Sequence, residues 1–250
     1  TIPNNVTSIG DYAFANCSSL TSITIPNNVT SIGDYAFANC SSLTSITIPN
    51  NVTSIGDYAF ANCSSLTSII IPNKVTSIGK ETFSGCTSLT RVVIPKSVTS
   101  IGAKAFWKCA SLKEVYYTGD LSAWCKIDID HFGSPFLGYA KLYINGVEQT
   151  DITIPSGITK IKDYAFSNCI SLTSVTIPDS VTSIGANAFS YCKGLTKVYF
   201  KSTTPPTIHP QAFNGNAPGR KIYVPRSSVE AYKSATGWSM YANYIEGYDF

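Results

Sequence analysis

Cysteine is the residue with the greatest chemical capacity in this 250-residue chain, which holds eight of them. Cys17, Cys40, Cys63, Cys86 and Cys109 recur every 23 residues, and Cys169 and Cys192 resume the same interval further on. Thiols in this number could form a disulfide frame or hold a metal. The spacing argues against both. It contains no Cys-x-x-Cys pair of the kind zinc favours. Side chains at equivalent places in stacked units also have parallel Cβ vectors, a poor geometry for a disulfide. The seven are therefore expected to be reduced and buried, small hydrophobes whose weak S–H donors face loop backbone. Cys125 lies outside the series and is the cysteine to watch.

The other reactive residue types are sparse. The two histidines are His131 and His209. His131 sits near Asp128, Asp130 and Ser134, but no spacing marks these as a nucleophile, base and orienting acid. His209 falls in Ile208-His-Pro-Gln-Ala-Phe213, where other units carry Ile-Gly-x-x-Ala-Phe, so it reads as the replacement of a glycine in a degenerate unit. Asn-x-Ser/Thr sequons occur at Asn5, Asn16, Asn28, Asn39, Asn51 and Asn62. In a secreted eukaryotic protein they could carry glycans; Asn and Ser also suit turns at these places. The reading is of a chain that is not an enzyme, with no catalytic residue, cofactor or metal.

Composition narrows the partners. Hydrophobic residues make up 44% and charged residues 13%, so apolar material for a core is ample. The net charge of +3 is too weak to argue for nucleic acid. Residues 1–69 contain Asp11, Asp34 and Asp57 but no Lys or Arg, which leaves +6 on the remainder. No apolar run is long enough to span a bilayer. The chain starts without Met, directly inside a repeat, as a fragment or processed product would.

These residues are positioned by a repeat. The string TIPNNVTSIGDYAFANCSSLTSI fills 1–23 and recurs unchanged at 24–46 and 47–69. Diverged copies occupy 70–92, 93–115, 153–175 and 176–198. In each unit Leu-x-x-Ile-x-Ile, as at Leu20, Ile23 and Ile25, places alternate residues on one face of a short strand that Pro26 ends. Val29 and Ile32 point inward next, and Gly33 is expected to allow a tight turn. Asp34 would cap a helical turn carrying Ala36 and Phe37, and Cys40 and Leu43 close the coil. One unit cannot bury this apolar set, but stacked units can, with strands about 4.8 Å apart.

The Ile-Pro-x-x-Val-x-x-Ile-Gly-x-x-Ala-Phe-x-x-Cys-x-x-Leu-x-x-Ile pattern, present seven times, resembles the BspA-like leucine-rich-repeat family of bacterial surface and secreted proteins. The resemblance implies an α/β repeat fold: a leucine-rich-repeat solenoid of 23-residue units with a parallel concave β-sheet and a C-terminal cap. It also implies an extracellular or cell-surface location, a role in adhesion and no catalytic residues. One solenoid over 1–250 is expected. Five regular repeats fill 1–115, an irregular insertion 116–152, two further repeats 153–198, and a degenerate repeat with the cap 199–250.

In the insertion, Asp120 is placed to cap a short helix over Leu121–Cys125, Trp124 to fill the coil, and Asn145-Gly146 to turn between extended pieces. Near the end, Lys221–Pro225 reads as one more strand and Ser228–Ala235 as a helix. Val229, Tyr232, Trp238, Tyr241 and Ile245 are suited to seal the last apolar layer.

The outward strand positions supply the candidate binding site. The first rows are Ser22 with Thr24, Ser45 with Thr47, then Ser68 with Ile70. Their character then changes to Arg91 with Val93 and Glu114 with Tyr116, and later to Lys197 with Tyr199. Arg and aromatic residues are enriched where protein partners bind, while Tyr and Val also simply favour strands. The six residues Arg91, Val93, Glu114, Tyr116, Lys197 and Tyr199 are the candidate concave-face site. The partner would be a protein or cell-surface ligand, such as a host extracellular protein or a glycan. A structural spacer displaying another domain and a carbohydrate-binding module are the alternatives.

Overall fold

The computed structural model describes residues 2–250, and its elements alternate between two strand positions in each coil. In the first half these are β1 (Ser8–Ile9), β2 (Ser31–Ile32), β3 (Ser54–Ile55), β4 (Ser68–Ile70), β5 (Ser77–Ile78), β6 (Arg91–Ile94), β7 (Ser100–Ile101) and β8 (Glu114–Tyr117). The insertion contributes α1 (Leu121–Trp124), β9 (Asp128–Ile129), β10 (Lys141–Ile144) and β11 (Val147–Glu148). Then come β12 (Asp151–Thr153), β13 (Lys160–Ile161), β14 (Ser174–Ile177), β15 (Ser183–Ile184), β16 (Lys197–Phe200), β17 (Thr207–Ile208) and β18 (Lys221–Pro225). The chain ends with α2 (Val229–Ser234) and β19 (Ile245–Tyr248).

The longer strands form two five-stranded sheets, ordered β11-β10-β8-β6-β4 and β12-β14-β16-β18-β19. Pairing is parallel and one coil apart, as in Arg91↔Glu114 and Ser174↔Lys197, except for the antiparallel hairpin of β10 and β11. Among the described residues of the identical early coils this face carries an isolated bridge between Thr24 and Thr47. Rows of Ser and Thr offer little of the cross-strand packing that the later Val and Tyr rows supply.

A second set of parallel sheets was not expected from the sequence. The Ser-Ile pairs of the Thr-Ser-Ile-Gly segments, with Asp128-Ile129, Lys160-Ile161 and Thr207-Ile208 at the same place in the less regular coils, form three three-stranded sheets, β1-β2-β3, β5-β7-β9 and β13-β15-β17. The inward Ile of each pair is buried, and the Ser beside it faces out. The expected helical turn after Asp34 is also replaced. Residues 34–39 form turns, with Tyr35 and Asn39 in the left-handed region at φ 55° and 61°. Tyr12, Tyr35 and Tyr58 lie face to face there at 4.8 and 4.6 Å, but Glu81 and Lys104 are left-handed at the same place without a ring.

Asp34 does not cap a helix; it ties two coils. Asp11 Oδ1 accepts from the Asp34 amide, Asp34 Oδ1 from that of Asp57, and Asp57 Oδ1 from that of Lys80, at 2.7–2.8 Å. This corrects the expectation for Gly33. Its φ is not left-handed; a Cβ there would lie 2.3 Å from Asp11 Oδ1 and 2.7 Å from the Asp11 amide nitrogen. Glycine is required because the preceding coil's carboxylate crosses that space.

The core runs unbroken along the stack. Phe14, Phe37, Phe60, Phe83 and Phe106 stack in sequence at 5.2–5.6 Å, and Phe166, Phe189 and Phe213 repeat the column. Between them the insertion substitutes Trp124 and Phe136, both fully buried. Asp120 caps α1 by accepting from the Ala123 amide at 2.7 Å, and Asn145-Gly146 turns the hairpin with both φ angles positive. At the far end Tyr232, Trp238, Tyr241 and Ile245 are buried, and Val229 is partly so. The final strand β19, which pairs in parallel with β18, was not anticipated.

The glycine–aspartate contact gives a direct test. Gly10 occupies the same place in the first coil but has nothing within 4 Å of its notional Cβ. Gly56→Ala is expected to cost about 1–3 kcal/mol through overpacking against Asp34, whereas Gly10→Ala changes little. Urea unfolding of the two variants checks it; equal midpoints would refute the close-approach account.

Candidate partner-binding face

The outward grid of the first long-strand sheet is set by its register. One row runs Ser68, Arg91, Glu114, Lys141, and the next Ile70, Val93, Tyr116, Tyr143. Alternation puts these residues outside because Val92, Val115 and Leu142 between them are fully buried. The Arg91 guanidinium lies over the Tyr116 ring at 4.1 Å, and Tyr116 stacks on Tyr143 at 4.6 Å. Beyond Tyr143, Glu148 of the hairpin accepts from the Tyr143 hydroxyl at 3.4 Å and pairs with Lys141 at 3.1 Å. That bond raises the Lys141 pKa above its ordinary value. The result is a cation, two stacked phenol rings and an ion pair side by side, with Ile70 exposed at one border.

Four of the six candidates, Arg91, Val93, Glu114 and Tyr116, therefore meet on one sheet. Lys197 and Tyr199 lie on the other sheet, with Lys197 paired to Ser174 and Lys221, and Tyr199 to Thr176 and Tyr223. There Tyr199 stacks on Tyr223 at 4.9 Å, and Tyr248 and Phe250 approach it edge-on at 5.3 and 6.4 Å. Lys221 contacts Glu246. At the sheet's other edge Ser174 and Thr173 donate to Asp151 at 2.6 and 2.8 Å, and these bonds lower its pKa. The two clusters are thus separate.

Sequence reasoning missed Tyr143, Glu148, Tyr223 and Tyr248. A signal for two of them existed. Glu114-Val-Tyr-Tyr117, Lys141-Leu-Tyr-Ile144, Lys197-Val-Tyr-Phe200 and Lys221-Ile-Tyr-Val224 share one pattern of charged, apolar, Tyr, apolar or aromatic. Glu148 and Tyr248 had none, since they reach the face through a hairpin and an unexpected strand.

The reactive residue types are otherwise occupied. His131 Nδ1 hydrogen-bonds the Tyr164 hydroxyl at 3.0 Å, while Ser134 donates to the Ser167 carbonyl at 3.0 Å. The His209 amide donates to the Ile184 carbonyl at 3.0 Å, as the Gly185 amide does to Ile161, so His209 stands in the glycine position of its coil. The amides of Asn28 and Asn39 donate to Asn4 and Asn16 of the preceding coil. Among the described residues, no three His, Cys, Asp or Glu side chains gather as a metal would need.

Six of the seven serial cysteines are buried, and all eight are free among the described residues. Each thiol of Cys40, Cys63, Cys86, Cys109 and Cys192 donates to the carbonyl of a Phe 26 residues back, at 3.0–3.2 Å. Cys17 is the exception and is exposed. Cys125, outside the series, is buried as well. Burial pushes the thiols of Cys63, Cys109 and Cys125 up to about 12.

The BspA type leucine rich repeat region, in six copies, is matched over residues 1–121 and 139–237. The chain belongs to the BspA-type leucine-rich-repeat family. Members are repeat-protein scaffolds. The unmatched 122–138 holds most of α1, all of β9 and His131. No curated protein matches the chain. Among solved structures, it is similar to a leucine rich repeat protein of T. pallidum, 27% identical over 78% of this chain and 76% of that one, TM-score 0.49. A leucine rich cell surface protein of Faecalibacterium prausnitzii A2-165 is 27% identical over 100% and 87%, TM-score 0.43. The pneumococcal vaccine antigen PcpA is 18% identical over 90% and 71%, TM-score 0.48. The fold assignment rests on the family match and on the chain's own parallel sheets. Among the described residues no helix is long and apolar enough to cross a membrane.

The BspA-type cysteine column predicts a sharp titration. At about pH 8 a thiol reagent should modify Cys17 rapidly in the native protein and the other seven only in denaturant, as thiolates are scarce at raised pKa. Rapid modification of more than one thiol in the native chain would contradict the buried column.

Proposed function

We propose that this chain is a non-enzymatic, extracellular or cell-surface adhesion scaffold that contacts host proteins or other cells through its long-strand face. The observation that carries the reading is the Arg91–Tyr116–Tyr143 stack. Tyr supplies large contact area with little entropy to lose, and Arg and Tyr dominate binding energy at protein interfaces. Their mutual stacking holds them in one conformation before any partner arrives, which lowers the cost of association. Lys197 and Tyr199 form a second contact region on the other sheet, where the same chemistry recurs with Tyr223.

The test is the double variant Arg91→Ala, Tyr116→Ala, compared with Ser22→Ala, Thr24→Ala. Both are assayed for attachment to intact cells and to a panel of immobilised extracellular proteins. The first should bind at least tenfold more weakly, roughly 1.4 kcal/mol or more, with melting almost unaltered. The second should bind as the parent does. Undiminished attachment of the first variant would move the site to the insertion or the opposite side.

A second reading, a spacer that displays another domain, is favoured for residues 1–69 by their identical coils, whose outward strand positions hold only Ser and Thr. Deleting residues 24–46 should then leave attachment and cooperative unfolding intact. Lost attachment would assign those coils a binding role.

A further inference from the structure

On the turn side of the early coils Tyr35 is covered on both faces, by Tyr12 at 4.8 Å and Tyr58 at 4.6 Å. The insertion opens this column of rings. Phe132 tilts onto Trp107 of the preceding coil at 5.1 Å, and His131, bonded to the Tyr164 hydroxyl, meets that ring edge-on at 6.0 Å. The next two coils carry Asn187 and Gln211 where Tyr164 stands. A cavity of about 290 Å³ lies between these residues and Leu137, Asn168 and Tyr191. One wall, from His131 to Leu137, belongs to the segment 122–138 that the family pattern does not cover.

The polar groups of this cavity are accessible and unspent. Tyr191 and Gln211 are exposed and Asn187 is half-buried. Among the described residues, the Asn187 and Gln211 side-chain amides and the Tyr191 hydroxyl have no hydrogen-bond partner, although the backbones of all three are bonded. Phe132 and Tyr191 leave 37% and 45% of their surfaces open. No Lys, Arg, Asp or Glu side chain lines the space.

We propose that this cavity binds a neutral sugar residue at the exposed end of a glycan. A sugar ring has an apolar C–H face and a rim of hydroxyls, and the cavity has a counterpart for each. The electronegative π faces of Phe132 and Tyr191 meet the C–H face. Asn187 and Gln211 meet the rim, because a side-chain amide both donates and accepts, as a hydroxyl does. A charged ligand would lose hydration here without gaining a counter-ion. A peptide that adds a strand needs an open sheet edge, and every lining residue lies outside the strands. The site uses none of the residues of the long-strand face, so it stands or falls independently of the adhesion reading.

NMR titration of the intact chain with methyl β-glucoside, methyl β-galactoside, methyl α-mannoside and methyl β-N-acetylglucosaminide tests it. At least one glycoside is expected to give saturable shifts at the Asn187 and Gln211 side-chain amides, half-saturating at millimolar concentration. Asn187→Gly and Tyr191→Gly should each weaken that binding at least fivefold. Both positions have left-handed backbone, at φ 55° and 56°, which glycine adopts without strain, so the fold is retained. Tyr12→Gly, the same change at φ 57° in the first coil, should bind as the parent does. Absence of saturable shifts with all four glycosides overturns the proposal. So does undiminished binding by Asn187→Gly or Tyr191→Gly. Binding of N-acetylglycine N-methylamide as tight as that of the best glycoside would make the cavity a peptide site and overturn it too.

Discussion

Each coil completes the hydrogen bonds of its neighbours, and the rest of the structure depends on that exchange. On the turn side, backbone amides donate forward: Tyr35 to Asp57, Phe37 to Ala59 and Asn39 to Ala61. Side chains donate backward: Cys63 to Phe37, Thr53 to Thr30 and Thr67 to Thr44. A buried peptide group without a partner costs about as much as a lost hydrogen bond. A solitary coil would leave a whole set of them open while burying almost no apolar area, so stability resides in the interfaces between coils.

The same logic explains both irregular regions. Lys141 pairs with Glu114, 27 residues back, so the insertion makes a longer coil than the standard 23. It still meets the next coil's carbonyls. Trp124 donates its indole N–H to Ala165 and Ser134 its hydroxyl to Ser167, while the Leu142 amide donates to Ser171 Oγ. Past the last regular coil, aromatic side chains supply donors on the turn side. Tyr232 donates to the Ser202 carbonyl, Trp238 to that of Pro206 and Tyr241 to that of Pro210. These rings seal the apolar layer and satisfy its backbone together, a combination a purely aliphatic cap could not provide.

Whatever obeys the 23-residue period was legible in the sequence. The period gave the stacking, the inward Ile, Val, Phe, Cys and Leu positions, the free thiols, and the outward rows with Arg91 and Tyr116. What depends on contact between adjacent copies was not. Nothing in Thr-Ser-Ile-Gly reveals that Ser31 and Ile32 pair with Ser8 and Ser54 neighbours as a second sheet, because a two-residue strand has no periodicity to read. The sequence around Gly33 shows a turn within its coil but not the Asp11 carboxylate of the previous coil that fills the space beside it. The left-handed Tyr35 went unseen for a similar reason. Local propensity disfavours that conformation for Tyr, and Glu81 and Lys104 share it at the same place, where each amide donates to a carbonyl of the next coil. Glu148 joined the candidate face through a hairpin whose turn could be read but whose reach could not.

The ladder also dictates where chemical variety can enter. A change at an inward position is felt by two neighbouring coils, and three identical copies at 1–69 show how uniform a stack can be. In the diverged copies at 70–92 and 93–115 the buried Ile, Pro, Val, Phe, Cys and Leu positions are retained almost throughout. The charged substitutions fall on Lys74, Lys80, Glu81, Arg91, Lys96, Lys104, Lys108, Lys113 and Glu114, and the outward strand rows change at Ile70 and Val93 and, just beyond, at Tyr116. Charge and aromatic surface thus accumulate on outward positions, even where, as at Lys80 and Glu81, they end the Asp and Tyr ladders of the early copies. A partner-reading face in such a molecule must lie on those positions, because the interior has no freedom to encode one.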